Sequence, residues 1–495
     1  MMRSDRRLRP VLAALLATTL AATVAACSSD ESATTTTAPR RSTTTTTTTT
    51  IAPGSQAPLQ PDWAWQSGAA DDDTLESATG RRDAVLAVGG AHRGLAPVAP
   101  PGSTLITLTS ADGTLRSATD SPADAADDLA RAVGAGSDGT ALACGSISSA
   151  ATAGFSDAAD AWCAPVTEAG ALGELTIGGS EGEEIVNGTA LTSDSGYAYV
   201  AASTDGLYPG AEDPTGGFLG ERDALLLRTD PTGAPRWARQ FGTQGNDSAN
   251  GVTTTADGDA AVAGDSEDGN FGFDDGSERR GGQDAWAARF DPSGNQRWLT
   301  PFGTPGRDSA RAVASGGDAS RGTEAVVAAG STDGTVASGA PGSAAAAGGL
   351  DVLVAAFDAA GRQQWITQLG SPADDEATGA VIDGQTLYVA GTAGAPIVGA
   401  ERVDVPGGPT NSPGGGRDGF LSAYDLATGT WQWTALFGST GDDRVNGLTL
   451  TDDGHLVVVG TTSGTLAATP LAGATDGFAV AFPITGASGG ASSAV

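Results

Sequence analysis

The chain contains no lysine, two histidines, three cysteines and two methionines in 495 residues. Two histidines exclude multi-histidine metal clusters, and three cysteines exclude CxxC pairs and any disulfide-dense scaffold. All 26 basic residues are arginine, and they face 59 acids, for a net charge of −33. Such a balance argues against nucleic acid or anionic lipid as partners of the folded part, because phosphate backbones are bound with Lys and Arg. Helical periodicity is also missing from Trp63 onward. What is abundant is glycine, 73 residues, about twice the usual share.

The N-terminus reads as a secretory leader over residues 1–26: Arg3, Arg6, Arg7 and Arg9 precede the apolar stretch Val11 to Leu20, which is too short to span a bilayer. Four Arg and one Asp leave with it, so the mature chain is more negative by three charges. Val24-Ala25-Ala26-Cys27 resembles the lipobox of bacterial lipoproteins. The resemblance implies that Cys27 becomes the lipidated, palmitate-bearing first residue, anchoring the chain to the outer face of the cell membrane; the alternative is a plain secretory signal with a chance cysteine. Residues 27–61 include Thr43 to Thr50 and little that could form a core, so they are expected to be a disordered tether. Stretched, some 33 residues reach roughly 110 Å. This tether and the all-arginine basic set resemble lipoproteins of high-GC actinobacteria.

Residues 62–486 are one motif repeated. The clearest copy runs Arg236-Trp237-Ala238-Arg239-Gln240-Phe241-Gly242, then Asp247, the turn Asp257-Gly258, Ala260 to Gly264, and Asp284 to Asp291. Aligning copies on the residue after the Trp-containing strand gives Gly68, Asp120, Gly178, Gly242, Gly303, Gly370 and Gly438. Five residues on stand Asp73, Ala125, Glu183, Asp247, Asp308, Asp375 and Asp443; the third strands open at Ser103, Asp160, Asp223, Asp284, Asp351, Asp418 and Asp476. Gly89, Gly145, Gly264, Gly330, Gly391 and Gly460 close second strands, with the third copy degenerate around Ala201.

Four short antiparallel strands per copy cannot bury both faces alone, so stacking around an axis is expected, giving an all-β, seven-bladed β-propeller. The chain starts with an orphan fourth strand at Asp62-Trp63-Ala64-Trp65 and ends with three strands, so the first completes the last blade and leaves no open edge. Residues 487–495 remain as a flexible tail. The pattern resembles the bacterial seven-bladed β-propeller repeat family, which implies the fold but no single activity.

Acids recurring blade after blade are expected to be architectural, those opening third strands by accepting loop N–H groups. Trp63, Trp65, Trp237, Trp298, Trp365, Trp431 and Trp433 lie in fourth strands, where indoles fill gaps between blades. Cys144 and Cys163 fall on adjacent strands of blade two, and a disulfide between them fits an oxidising compartment; two free thiols are the alternative. His92 and His455 lack the context of hydrolytic or zinc chemistry and read as surface residues. Second-to-third-strand loops such as Asp265–Gln283 and Thr392–Arg417 are long and emerge on one face, marking either a working face or tolerated length. Asp268, Asn270, Asp274 and Asp275 form a weak candidate Ca²⁺ cluster that lacks EF-hand spacing, with a solvated acidic face as the other reading.

The expectation is a non-catalytic lipoprotein, monomeric and without a resident cofactor, whose propeller binds a protein, glycan or envelope component. Two alternatives stand beside it. Stretches such as Asp291 to Trp298 are similar to quinoprotein dehydrogenase repeats, although those enzymes generally have eight blades and an adjacent cysteine pair; a Ca²⁺-stabilised adhesion module is the other.

Overall fold

Alanine, valine and leucine fill the second and third strands so completely that both faces are buried: Ala198–Thr204 is buried at every position, and Asp351–Asp358 at all but its last. A strand buried on both sides needs a sheet on either side of its own, which a radial stack supplies. The computed structural model describes residues 56–68, 72–82, 84–91, 103–120, 129–148, 159–192, 196–212, 220–267, 282–317, 324–336, 348–410 and 414–484. All of them lie within the unit Ile51–Val495.

Seven antiparallel sheets form a closed ring. Blade four is representative: Asp247–Thr254 lies innermost, followed by Ala260–Glu267, Gln283–Phe290 and the outermost Gln296–Phe302. In blade seven, Asp443–Leu450, His455–Thr462 and Asp476–Pro483 are completed by Trp63–Ser67, with Trp63 opposite Ala481 and Ser67 opposite Gly477. The orphan N-terminal strand thus closes the ring as the repeat count implied.

The core is divided among the joints between blades, each apolar cluster drawing on two neighbours. Strand alternation serves both joints of a blade at once. On the third strand of blade four, Ala285 and Ala287 pack towards blade five, and Trp286 and Ala288 towards blade three. Alanine at these positions lets the sheets approach, while Phe241, Phe290, Phe302 and Phe357 fill the wider outer part. Phe302 and Phe357 meet edge to face across the joint between blades four and five, with centroids 5.3 Å apart.

Fourth-strand indoles also latch four of the blades to the next. Nε1 of Trp63, Trp237, Trp298 and Trp365 donates to Ala111, Pro292, Ala359 and Leu426, carbonyls in the third-to-fourth turn of the following blade. Gly361 and Gly429 lie flat against two of these rings. Both have positive φ, and a Cβ would stand within 2.6 Å of the indole.

Two features were not anticipated. Ala211–Glu212 and Glu401–Arg402, in the long loops of blades three and six, fold back as a fifth strand parallel to the outer edge, opposite Ala238–Arg239 and Ala435–Leu436. Part of that loop length therefore covers exposed edges, a standard protection against edge-to-edge pairing. In blade three the buried carboxylate that opens the inner strand belongs to Glu184, not Glu183. Ser180 donates to Glu184 through its amide (2.9 Å) and its hydroxyl, whereas Glu183 pairs with Arg222 at 2.6 Å. The neighbouring Gly178-Gly179 makes either glycine a plausible alignment point, and the structure uses Gly179.

Candidate functional site in the central channel

Six of the seven inner strands carry a one-residue bulge near their start. Pairing with the second strand skips Arg131, Asn187, Asn250, Arg311, Thr378 and Asn446 in blades two to seven. In blade one the same place is held by Glu76, just before the ladder begins at Ser77. A bulge turns one extra residue out of the sheet, and here it turns it towards the axis. All seven residues, with Val186 and Arg444, line a cavity of about 180 Å³ that is continuous with the inner-strand channel through shared walls.

The glycine closing the second strand belongs to this geometry. A Cβ on Gly89, Gly264, Gly330, Gly391 or Gly460 would stand 1.9–2.0 Å from an inner-strand carbonyl, that of Thr74, Ser248, Ser309, Glu376 or Arg444. The bulge pushes that carbonyl over the second strand, and only glycine leaves room.

Four ring residues stitch blades together. Asn187 donates to Ala249 O (3.0 Å), Asn250 to Ala310 O (3.0 Å), Thr378 to Val445 O (2.9 Å) and Asn446 to Leu75 O (2.8 Å), each a carbonyl of the next blade. The other three positions hold charged residues: Glu76, Arg131 and Arg311. These ring positions went unnoticed in the sequence because they differ from copy to copy. The signal was their fixed place three residues beyond Asp73, Glu184, Asp247, Asp308, Asp375 and Asp443.

At the same end of the blades, the repeated acids converge in pairs. Points where a Cβ on Gly242 would stand lie 2.5 Å from Asp247 Oδ2 and 2.8 Å from Asp223 Oδ1; Gly179 likewise faces Asp160 and Glu184, and Gly438 faces Asp418 and Asp443. Burial, aided by the facing acid, pushes Asp247, Asp308, Asp375 and Asp443 each up to about 6. Burial raises Glu184 and Asp160 as well, and raises Asp418 against the opposing pull of Arg402.

Third-strand acids accept mainly from a side chain that the sequence reading did not single out. Gln66, Gln240 and Gln368 donate through Nε2 to Asp476, Asp223 and Asp351 at 2.9, 2.8 and 2.6 Å. Their Oε1 atoms accept the amides of Leu466, Tyr208 and Val336, so glutamine links loop to acid. Direct donation by a loop amide also occurs, from Ala472 to Asp476 at 3.1 Å. The Gln-x-Gly spacing before Gly68, Gly242 and Gly370 was the available cue. Asp284 opens the corresponding position in blade four, where Pro301 replaces the glutamine.

Cys144 and Cys163 stand opposite each other and form a disulfide, with Cα atoms 4.1 Å apart. His455 is less open than a surface residue: its ring bridges Asp62 (2.9 Å) and Asp453 (3.0 Å) with 17% of the side chain exposed. Burial works against its charge, but the two carboxylates hold it above the ordinary histidine value. Cys27, residues 28–55 of the tether, His92, Asp268, Asn270, Asp274, Asp275 and residues 487–495 lie outside the described residues, whereas the end of the expected tether is ordered against the propeller, with Leu59 packed on the core cluster between blades six and seven. Among the described residues no group of three or more His, Cys, Asp or Glu is placed to hold a metal ion.

No protein-family model matches the chain. The regulatory protein FlaEY of Caulobacter vibrioides is 26% identical over 368 residues, a match covering 57% of this chain and 38% of that protein. The chain therefore spans well under half of that relative's length. Among solved structures, Kuenenia stuttgartiensis hydrazine synthase superposes with a TM-score of 0.42 at 10% identity, covering 80% of this chain and 95% of the other. The β-propeller domain of the Trilobed protease from Pyrococcus furiosus gives 0.40 at 10% identity, covering 84% and 95%. The fold assignment rests on the strand pairing itself.

Proposed function

We propose that this chain is an extracytoplasmic lipoprotein, anchored through Cys27 and held off the membrane by its tether, whose propeller is a binding module for an envelope partner, protein or glycan. The observation that supports binding is the bulge ring. One bulge geometry recurs in blades two to seven, with Glu76 at the matching place in blade one, yet the seven positions carry Glu, Arg, Asn, Asn, Arg, Thr and Asn in turn. A purely architectural position would repeat its side chain as the paired acids do. Variation on a constant frame is what a recognition surface requires. The Caulobacter relative is named a regulatory protein, which is compatible with such a role. The anchor reading draws on the lipobox and on the disulfide, which engages the two cysteines other than Cys27.

Two measurements test the proposal. Palmitate-analogue labelling of cells should tag the protein and fail for Cys27→Ala, which should leave the membrane fraction; labelling that persists refutes the anchor. Crosslinking in intact cells should recover a defined envelope component through the propeller, and recovery of the same set by a chain with residues 268–281 deleted would remove that loop from the binding face.

A further inference from the structure

The charged members of the ring do what the stitching members do not. In blades three, four, six and seven the bulge residue donates to the next blade's carbonyl, so the structural solution for this position is Asn or Thr. Blades two and five carry Arg131 and Arg311 instead, both exposed to the channel, and neither forms an ion pair or hydrogen bond among the described residues. Arg444, one residue past the acid that opens the inner strand of blade seven, reaches the same cavity and is likewise unpaired.

This is unusual for the chain. Acids outnumber arginines 59 to 26, and many of the other described arginines are taken up: Arg222 by Glu183, Arg289 by Asp259, Arg307 by Asp333, Arg402 by Asp418. Three guanidinium groups thus stand without an ion-pair partner among the described residues around one small cavity, amid such an acid excess, although one carboxylate shares the cavity. The acids nearby are few. Glu76 lines the cavity; Glu376, Asp308 and Asp265 line the adjoining recess beside Arg311, where Asp308 is buried and held by the Thr304 amide (2.7 Å) and Asp265 is engaged by Asn250 (2.6 Å), Ser309 (2.6 Å) and Gln283 (2.9 Å).

We propose that the channel mouth is an oxyanion site, in which Arg131, Arg311 and Arg444 take the carboxylate or phosphate group of a small polar ligand of about sugar size. Guanidinium forks suit both groups, and they act more strongly in a recess than on an open surface. Glu76 biases the site against a second negative charge. The inference rests on the propeller being a binding module, but not on the long loops.

Calorimetric titration of the full chain with glucuronate, glucose 6-phosphate and neutral glucose tests it at low and moderate salt. At least one anionic sugar should bind, glucose at least tenfold more weakly, and affinity should fall with added salt. Whichever anion is preferred identifies the source as carboxylate or phosphate. The double variant Arg131→Asn/Arg311→Asn supplies the residue that stitches the other blades, so it should fold with an unchanged or higher melting temperature while anion affinity drops at least tenfold. Glu76→Gln should tighten anion binding about threefold at low salt, a gain that misfolding cannot produce. Equal binding of all three sugars, or anion affinity unchanged in the double variant, overturns the proposal. A chain lacking residues 268–281 that loses its envelope partner but keeps anion binding would separate the channel from the loop face.

Discussion

Asp308 offers a direct measurement of what the paired acids cost. Its carboxylate is fully buried, accepts the Thr304 amide at 2.7 Å and the Thr304 hydroxyl at 3.1 Å, and faces Asp284 across the joint between blades four and five. Burial, then the neighbouring acid, places its folded pKa at about 6 against 3.8 when unfolded. The folded chain therefore binds the extra proton between these values. Stability from this site is fully present below about pH 3.8 and is lost as pH rises through about 6, by on the order of 3 kcal/mol. Asp308→Asn cannot ionise, and it sacrifices acceptor capacity that is worth about 1 kcal/mol. The two pH profiles should cross near pH 4.5: the variant about as stable as the parent there, and more stable by about 2 kcal/mol at pH 7.5. Urea midpoints at both pH values measure this. A variant that loses more stability at pH 7.5 than at pH 4.5 would show that Asp308 is an ordinary ionised acceptor and would refute the reasoning.

The same logic gives the parent a monotonic loss of stability from pH 4.5 to 7.5, since Asp247, Asp375 and Asp443 are also raised to about 6 and His455 is held above its ordinary value; a calorimetric melting series checks it. Cys144→Ser/Cys163→Ser opens a loop with a sequence separation of 19 and should cost about 3 kcal/mol in denaturant unfolding, with the ring still formed by far-ultraviolet circular dichroism. Gly361→Ala combines a φ of +78° with a Cβ 2.6 Å from the Trp298 ring, so it should destabilise by about 2 kcal/mol or more and alter tryptophan fluorescence. Gln368→Ala should release the Val336 amide and remove the Gln368 hydrogen bond from Asp351, which proteolysis should report as faster cleavage near 336.

Blade number, the closing strand and the disulfide were legible because each rests on residues that repeat or on cysteines too scarce to be ambiguous. Asp247, Asp308, Asp375 and Asp443 could be found by their identity, since every joint imposes the same burial on them. Glu184 was displaced by one position because Gly178 and Gly179 are adjacent and a longer acid reaches the same point from the next register. The channel residues were hidden for the opposite reason. Arg131, Arg311 and Glu76 share a backbone position, not a residue type, and alignment by identity passes over a place whose side chain is free to differ. The parallel strands at Ala211–Glu212 and Glu401–Arg402 are two residues long and carry no period.

Ring closure also sets the order in which this chain can fold. Trp63–Ser67 is the first strand of the propeller to leave the ribosome, and its partner, Asp476–Pro483, is the last. Gln66 reaches Asp476 and Leu466 across some 400 positions of sequence, so no local segment can satisfy it in the meantime. Blades one to six bring together strands that are near neighbours in sequence and can form as they emerge. Until the last strand arrives, the first stays unpaired and blade seven lacks its outer strand. Closure is thus a late, long-range event that comes only after the rest of the propeller has been made, the regime in which topology slows folding and leaves a strand edge open longest.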